Sequence, residues 1–127
     1  MADKIKLLFL VTEFWQAGTQ RFTFELDQAI DKEVFEISIL SFRRLNTLPE
    51  KKDFYYQKHK NIGTEVYFLD DFLNSKKEIF KRKKKPFELL NNFLDKFHAI
   101  SFMGEYAFLK IKDKLSENNT KRSVIHI

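Results

Sequence analysis

The chain of 127 residues contains no cysteine, three glycines, two prolines and a single tryptophan. Without cysteine neither a disulfide framework nor a thiolate metal site can form, which favours a reducing, intracellular setting. With glycine only at Gly18, Gly63 and Gly104, the Gly-x-Gly-x-x-Gly dinucleotide fingerprint cannot be written, and the P-loop pattern is missing too. No apolar stretch approaches the roughly 20 residues of a membrane-spanning helix. After Met-Ala-Asp-Lys the run from Leu7 to Val11 is shorter than a secretory h-region of about 7–15 residues, and no small-residue cleavage site follows. The expectation is a cytoplasmic protein.

What is present is bulk and basic charge. Hydrophobic residues make up 43% of the chain and 15 of them are phenylalanine, enough for the core of one domain. The net charge of +5 is concentrated in one stretch, where Lys76, Lys77, Lys81, Arg82, Lys83, Lys84 and Lys85 are opposed only by Glu78. Three explanations fit such a patch. It is a solvated helix face or loop, or an anionic membrane surface site with Phe80 and Phe87 dipping into the headgroups, or a nucleic-acid site. The last is disfavoured because aromatics do not interleave the basic residues as a stacking platform requires.

Along the chain, strand and helix patterns alternate. Ile5 to Val11 is a nearly continuous apolar run, the mark of a strand covered on both faces. Phe22, Leu26, Ala29 and Ile30 share one helical face, with Thr19 as N-cap. Phe35 to Phe42 reads as a second strand, and Asp53 to Lys60 as a short helix. Thr64 to Leu69 is a third strand. A helix from Asp70 to Lys85 follows, capped by Asp70 or Asp71, and Pro86 stops or restarts it. Phe87, Leu90, Leu94 and Phe97 mark the next apolar face, and Ala99 to Met103 a fourth strand. Tyr106, Leu109, Ile111 and Leu115 lie on a further helix ended by an Asn118-Asn119 turn, and Ser123 to Ile127 begins a fifth strand. The order β-α-β-α-β-α-β-α-β predicts an α/β fold, a Rossmann-like parallel sheet with helices on both faces. The chain stops inside a strand, which suggests a truncated domain.

In open α/β sheets ligands bind outside the carboxyl ends of the strands. The loop from Thr12 to Gln20 has that place, and a helix N-terminus with Gly18 beside it suits a phosphate. Spacing alone also allows Gly18 simply to ease the turn.

The run "FLVTEFWQAGTQRFTFELDQAI" followed by "FEISILSF" resembles the start of a GT-B glycosyltransferase of the large glycogen-synthase-like group, family 4. There the first strand enters a Gly-Gly-x-x-Arg loop, to which Ala17, Gly18, Thr19, Gln20 and Arg21 correspond here, with Ala17 departing from the family's first glycine. The stretch "FHAISFMGEYAFLKIKDKLSENNTKRSVIHI" is similar to the family's fourth strand, helix and fifth strand. The resemblance implies a retaining transferase without metal or other cofactor, moving a sugar from a nucleotide-sugar donor to a sugar or lipid-linked acceptor in surface polysaccharide or glycolipid synthesis. Residues 1–127 would be part of its N-terminal, acceptor-side domain, inactive alone, with the nucleotide-sugar domain outside this chain. It implies donor-phosphate contacts for Gly18, Thr19 and Arg21, acceptor contacts for Glu105 and Tyr106, and a place beside the transferred sugar for His126. An enzyme acting on membrane acceptors would sit peripherally at the inner face of the membrane, where Lys81, Arg82, Lys83, Lys84 and Lys85 fit.

Taken from the residues alone, a histidine such as His126 on an apolar strand is more often a satisfied core residue than a functional one. His59 and His98 have no comparable context and are expected at the surface or a strand edge. No pair of histidines has ligand spacing, so no metal site is expected. The competing class is a small flavodoxin-like or receiver-like binding module, for which Glu13 and Asp70 or Asp71 supply part of the acidic set. A basic adaptor for membranes or nucleic acid rests on the lysine run alone.

Overall fold

The computed structural model describes residues 3–14, 18–43, 54–73 and 88–126. The apolar run at the start becomes strand β1, Ile5–Val11, and its composition follows from its place. Leu8 and Leu10 face one side of the sheet and Phe9 and Val11 the other, and all four are 2% exposed or less. A strand alternates its side chains between faces, so only a strand buried on both faces reads as unbroken apolar sequence. Burial of each such side chain stabilises the fold by about 1.5–3 kcal/mol.

Strands β2 (Phe35–Ser41), β3 (Glu65–Phe68), β4 (Ala99–Met103) and β5 (Ser123–His126) complete a five-stranded sheet in the order β3-β2-β1-β4-β5. Every pairing is parallel, with Ile5 opposite Phe35, Leu7 opposite Ala99, Ser38 opposite Glu65 and Ile100 opposite Ser123. The expected Rossmann-like sheet is therefore present, with β1 at its centre. Past the start of the β1–β4 ladder, the Lys6 amide donates to His98 Nδ1 at 2.8 Å, closing 92 residues of sequence. His98 is exposed, as expected.

Helices cover both faces. On the Phe9 side lie α1 (Gly18–Ala29) and α2 (Phe54–Asn61), which bring Phe24, Leu26, Ile30, Tyr55 and Tyr56 onto Phe9, Val11, Ile37 and Ile39. On the Leu8 side lie α3 (Asp70–Leu73), α4 (Glu88–Leu94) and α5 (Glu105–Ile111), contributing Phe72, Leu90, Phe93, Leu94, Ala107 and Ile111. Phe72 stacks on Phe93 at 4.3 Å between centroids, and Tyr67 and Phe97 meet the same ring edge-on. Such offset and T-shaped pairs add to simple area burial.

Three local expectations change. Helix α1 begins at Gly18, so Thr19 lies inside the first turn, where its carbonyl accepts from Thr23 Oγ1 at 2.8 Å. Its buried residues are Gln20, Thr23 and Asp27, whereas Phe22 is 50% exposed and Ala29 is exposed. The helix is turned toward a polar set because that set finds partners inside. On α5 the inward residues are Ala107 and Ile111, leaving Tyr106 and Leu109 outside at 57% and 49% exposure. Finally, Asn118 and Asn119 do not form a turn. They belong to helix α6, Glu117–Lys121, whose N-cap Ser116 accepts from the Asn119 amide.

Asn119 is fully buried, and its Nδ2 donates to the Asn91 side chain and carbonyl. Arg122 reaches back from the start of β5 to the carbonyls of Leu94 and Phe97 and to Asn119 Oδ1. A basic side chain thus satisfies the acceptors that a helix C-terminus leaves open, tying β5 to α4. Of the remaining expectations, Asp53, Phe87 and the continuation of α3 to Lys85 lie outside the described residues.

Candidate functional site

The neighbours of β1 are β2 on one side and β4 on the other, so the chain leaves it in opposite directions. In sheets of this topology ligands bind in a crevice outside the C-terminal ends of the strands at this switch point. Its first wall is built where β1 ends. The ladder runs on past the strand, with the Phe42 amide donating to the Val11 carbonyl at 2.9 Å and the Arg43 amide to that of Thr12 at 3.0 Å. This holds Glu13 over the ends of β1 and β2. Gln20 Nε2 donates to Glu13 Oε1 at 3.2 Å, and Arg43 Nη1 lies 3.7 Å from Oε2. Phe14 turns inward against Tyr56, His59 and Phe68.

Helix α1 starts here, with Gly18 and Thr19 exposed at its first turn. The backbone of Gly18 is not in the left-handed region, and among the described residues a Cβ built on it would meet nothing within 4 Å. Neither conformation nor packing demands glycine at this position. Gly104 is the opposite case. It follows β4 with φ +106° and ψ 141°, a conformation open to glycine and costly for other residues. It turns the chain into α5, placing Glu105 and Tyr106 exposed on the second wall, with Lys110 Nζ 5.3 Å from the Tyr106 ring centroid.

Of the expected site residues, Gly18, Thr19, Glu105 and Tyr106 all fall at this edge of the sheet. The backbone of His126 joins them, opposite Met103 at the end of β5. Arg21 is directed elsewhere: its Nε pairs with Glu25 Oε1 at 3.0 Å, one turn along α1, on a side chain 72% exposed. Ala17 and Lys81, Arg82, Lys83, Lys84 and Lys85 lie outside the described residues. Asp70 and Asp71 occupy the first turn of α3, where negative charge complements the helix dipole.

The structure also contains a polar centre that sequence reasoning did not find. His59, expected at the surface, is 1% exposed. Its Nδ1 lies 2.7 Å from Asp27 Oδ2, which also accepts from Thr64 Oγ1 at 2.6 Å. Lys32 Nζ lies 3.0 Å from Oδ1 and donates to the Asp27 carbonyl. Burial pushes the Asp27 carboxyl toward the neutral acid, but His59, Thr64 and Lys32 outweigh it and hold the group below the usual carboxylate range. An ionised carboxylate accepts only, so the proton of the shared bond sits on His59 Nδ1. Phe14 and Phe24 close over the imidazole edge-on. With Asp27, His59 and Thr64 at 0%, 1% and 4% exposure, this centre is closed to substrates and joins α1, α2 and β3.

One signal for it exists in the sequence. Tyr55 and His59 are four residues apart on α2, so a core-facing tyrosine carries the histidine inward. Among the described residues no group of three or more His, Asp or Glu is arranged to hold a metal ion, and no helix is long and apolar enough to cross a membrane. No protein-family model, curated protein or solved structure matches the chain.

Proposed function

We propose that this chain is the N-terminal, acceptor-side domain of a glycosyltransferase of the GT-B type, using a nucleotide-sugar donor and a sugar or lipid-linked acceptor. The observation that carries the reading is Gly18. It stands at the first turn of a 12-residue helix, beside the switch point, with ordinary backbone angles and open space where a side chain would be. A glycine that neither folding nor packing requires is explained by close approach of a ligand to the backbone. The first turn of a helix carries the positive end of its dipole, which suits the diphosphate of a departing nucleotide. The strand order matches the first five strands of the Rossmann arrangement.

The acceptor falls to the opposite wall in this reading, to Glu105 and Tyr106, with the His126 imidazole a hydrogen-bond partner for a sugar hydroxyl. Transfer requires the second domain, so residues 1–127 bind without turnover. Lys81 to Lys85 extend the reading to a cytoplasmic protein at an anionic membrane surface.

The competing flavodoxin-like module has a different strand order, 2-1-3-4-5, in which β1 and β3 are adjacent. Here β2 separates them, so Glu13 and Asp70 follow strands that are not neighbours. The acidic set of a receiver gains no support from this arrangement.

Amide chemical-shift mapping of the chain with UDP, UDP-glucose and GDP-mannose tests the proposal. Millimolar nucleotide should move the Gly18 and Thr19 resonances first. Shifts confined to other surfaces, or none with any of the three, would refute it.

A further inference from the structure

Glu13 has a setting that a phosphate loop does not explain. Its side chain is 16% exposed, largely but not wholly withdrawn from water. Gln20, itself 5% exposed, fixes Oε1 through a single donated bond. Arg43 contributes charge at 3.7 Å from Oε2, beyond hydrogen-bond reach. Among the described residues, Oε2 therefore accepts no hydrogen bond, and Oε1 accepts one. A carboxylate held in this way has acceptor capacity left over. It repels phosphate in its immediate neighbourhood, so the partner it suits is a neutral group rich in O–H donors.

We propose that Glu13 is a sugar-recognition residue: its carboxylate, positioned by Gln20 and Arg43, accepts hydrogen bonds from adjacent hydroxyls of a neutral pyranose at the ends of β1 and β2. The inference rests on the glycosyltransferase reading for the anion at α1 and adds a residue that holds the sugar beside it. The two neighbouring features then divide the ligand. The first turn of α1 takes the negative part, and Glu13 keeps that part away while holding the hydroxyls, through charge-assisted bonds that are roughly twice as strong as neutral ones. The hydroxyls can belong to the donor sugar or to the acceptor sugar, since both present the same chemistry.

The test compares the wild-type chain with Glu13→Gln, which keeps an oxygen facing Gln20 and removes the charge. Glu117→Gln, at an exposed carboxylate on α6, is the control. Each is titrated by amide chemical shift with UDP, UDP-glucose and methyl α-glucoside, the last standing for an acceptor sugar. Glu13→Gln should weaken a sugar ligand about tenfold, the loss expected when a charge-assisted bond becomes neutral, while UDP binds unchanged or more tightly. Weakening of UDP-glucose alone assigns Glu13 to the donor sugar, and weakening of the glucoside assigns it to the acceptor. Equal weakening of UDP and UDP-glucose, or no weakening of any sugar ligand, overturns the proposal while leaving the nucleotide reading standing. Glucoside binding that is lost in Glu13→Gln, in a wild-type chain that ignores both UDP compounds, upholds the role of Glu13 and removes the nucleotide reading. Binding of none of the three by the wild type overturns both.

Discussion

Replacing Asp27 with asparagine probes the centre that joins α1, α2 and β3. Asp27 Oδ2 takes two hydrogen bonds, from His59 at 2.7 Å and Thr64 at 2.6 Å, and Oδ1 faces Lys32 at 3.0 Å. Asparagine nearly preserves the shape but has one acceptor oxygen. Turned toward His59 and Thr64, it presents its NH₂ to the Lys32 ammonium; turned away, it sets donor against donor at both other partners. Hydrogen bonds to a charged group contribute about 1.5–3 kcal/mol and neutral ones about 0.5–1.5 kcal/mol. Two bonds downgraded and one ion pair lost therefore cost about 2–4 kcal/mol. With a urea m-value of about 1–3 kcal/mol/M, the midpoint falls by roughly 1–2 M at unchanged m. Urea unfolding followed by circular dichroism measures this directly.

Acid supplies an independent check. The folded carboxyl of Asp27 titrates below its ordinary range, so between the folded and unfolded pKa values the unfolded chain binds more protons. Its stabilisation is complete above the unfolded pKa of about 4 and is lost as pH falls through the folded value. The advantage of wild type over Asp27→Asn should therefore be full at neutral pH and shrink in strong acid. A variant within 0.5 kcal/mol of wild type at neutral pH, or an advantage undiminished by acid, would refute the charged-centre argument.

The glycines separate folding from binding. Gly104→Ala, at φ +106°, should cost about 1–3 kcal/mol in the same urea assay. Gly18→Ala, which meets nothing within 4 Å, should leave stability unchanged or raise it by up to about 1 kcal/mol, yet weaken nucleotide binding. A stable Gly18→Ala chain with undiminished UDP affinity would count against the ligand role of that glycine. For Lys81 to Lys85, sedimentation with acidic-lipid vesicles should show binding at low salt that fades as salt screens it. No binding at low salt removes the membrane surface from the reading.

Strands β1 and β4 were legible to the residue, because strands buried on both faces announce themselves as apolar runs with abrupt ends. Their alternation with helices was enough to imply a parallel sheet. The orientation of α1 was not legible. Hydrophobic periodicity assigns Phe22 inward, yet Phe22 is exposed and Asp27 buried, because partners 32 and 37 residues away satisfy the carboxylate. Asn119 was missed for the same reason: Asn91, 28 residues earlier, meets its amide. The place of the candidate crevice could be read from the order of elements. The setting of Glu13 could not, since it depends on Gln20 facing inward and on Arg43 arriving from the end of another strand.

The central place of β1 also bears on how the chain is made. Its ladder on one edge cannot close until residues 99–103 have been made, as the 92-residue span between Lys6 and His98 measures. At about 5–20 residues per second, the ribosome delivers that partner roughly 5–20 s after the strand itself. For that interval the apolar residues of β1, interrupted only by Lys6, keep an open edge. A strand buried at the centre of the finished sheet is thus the one that waits longest, as the chain is made, for its second neighbour.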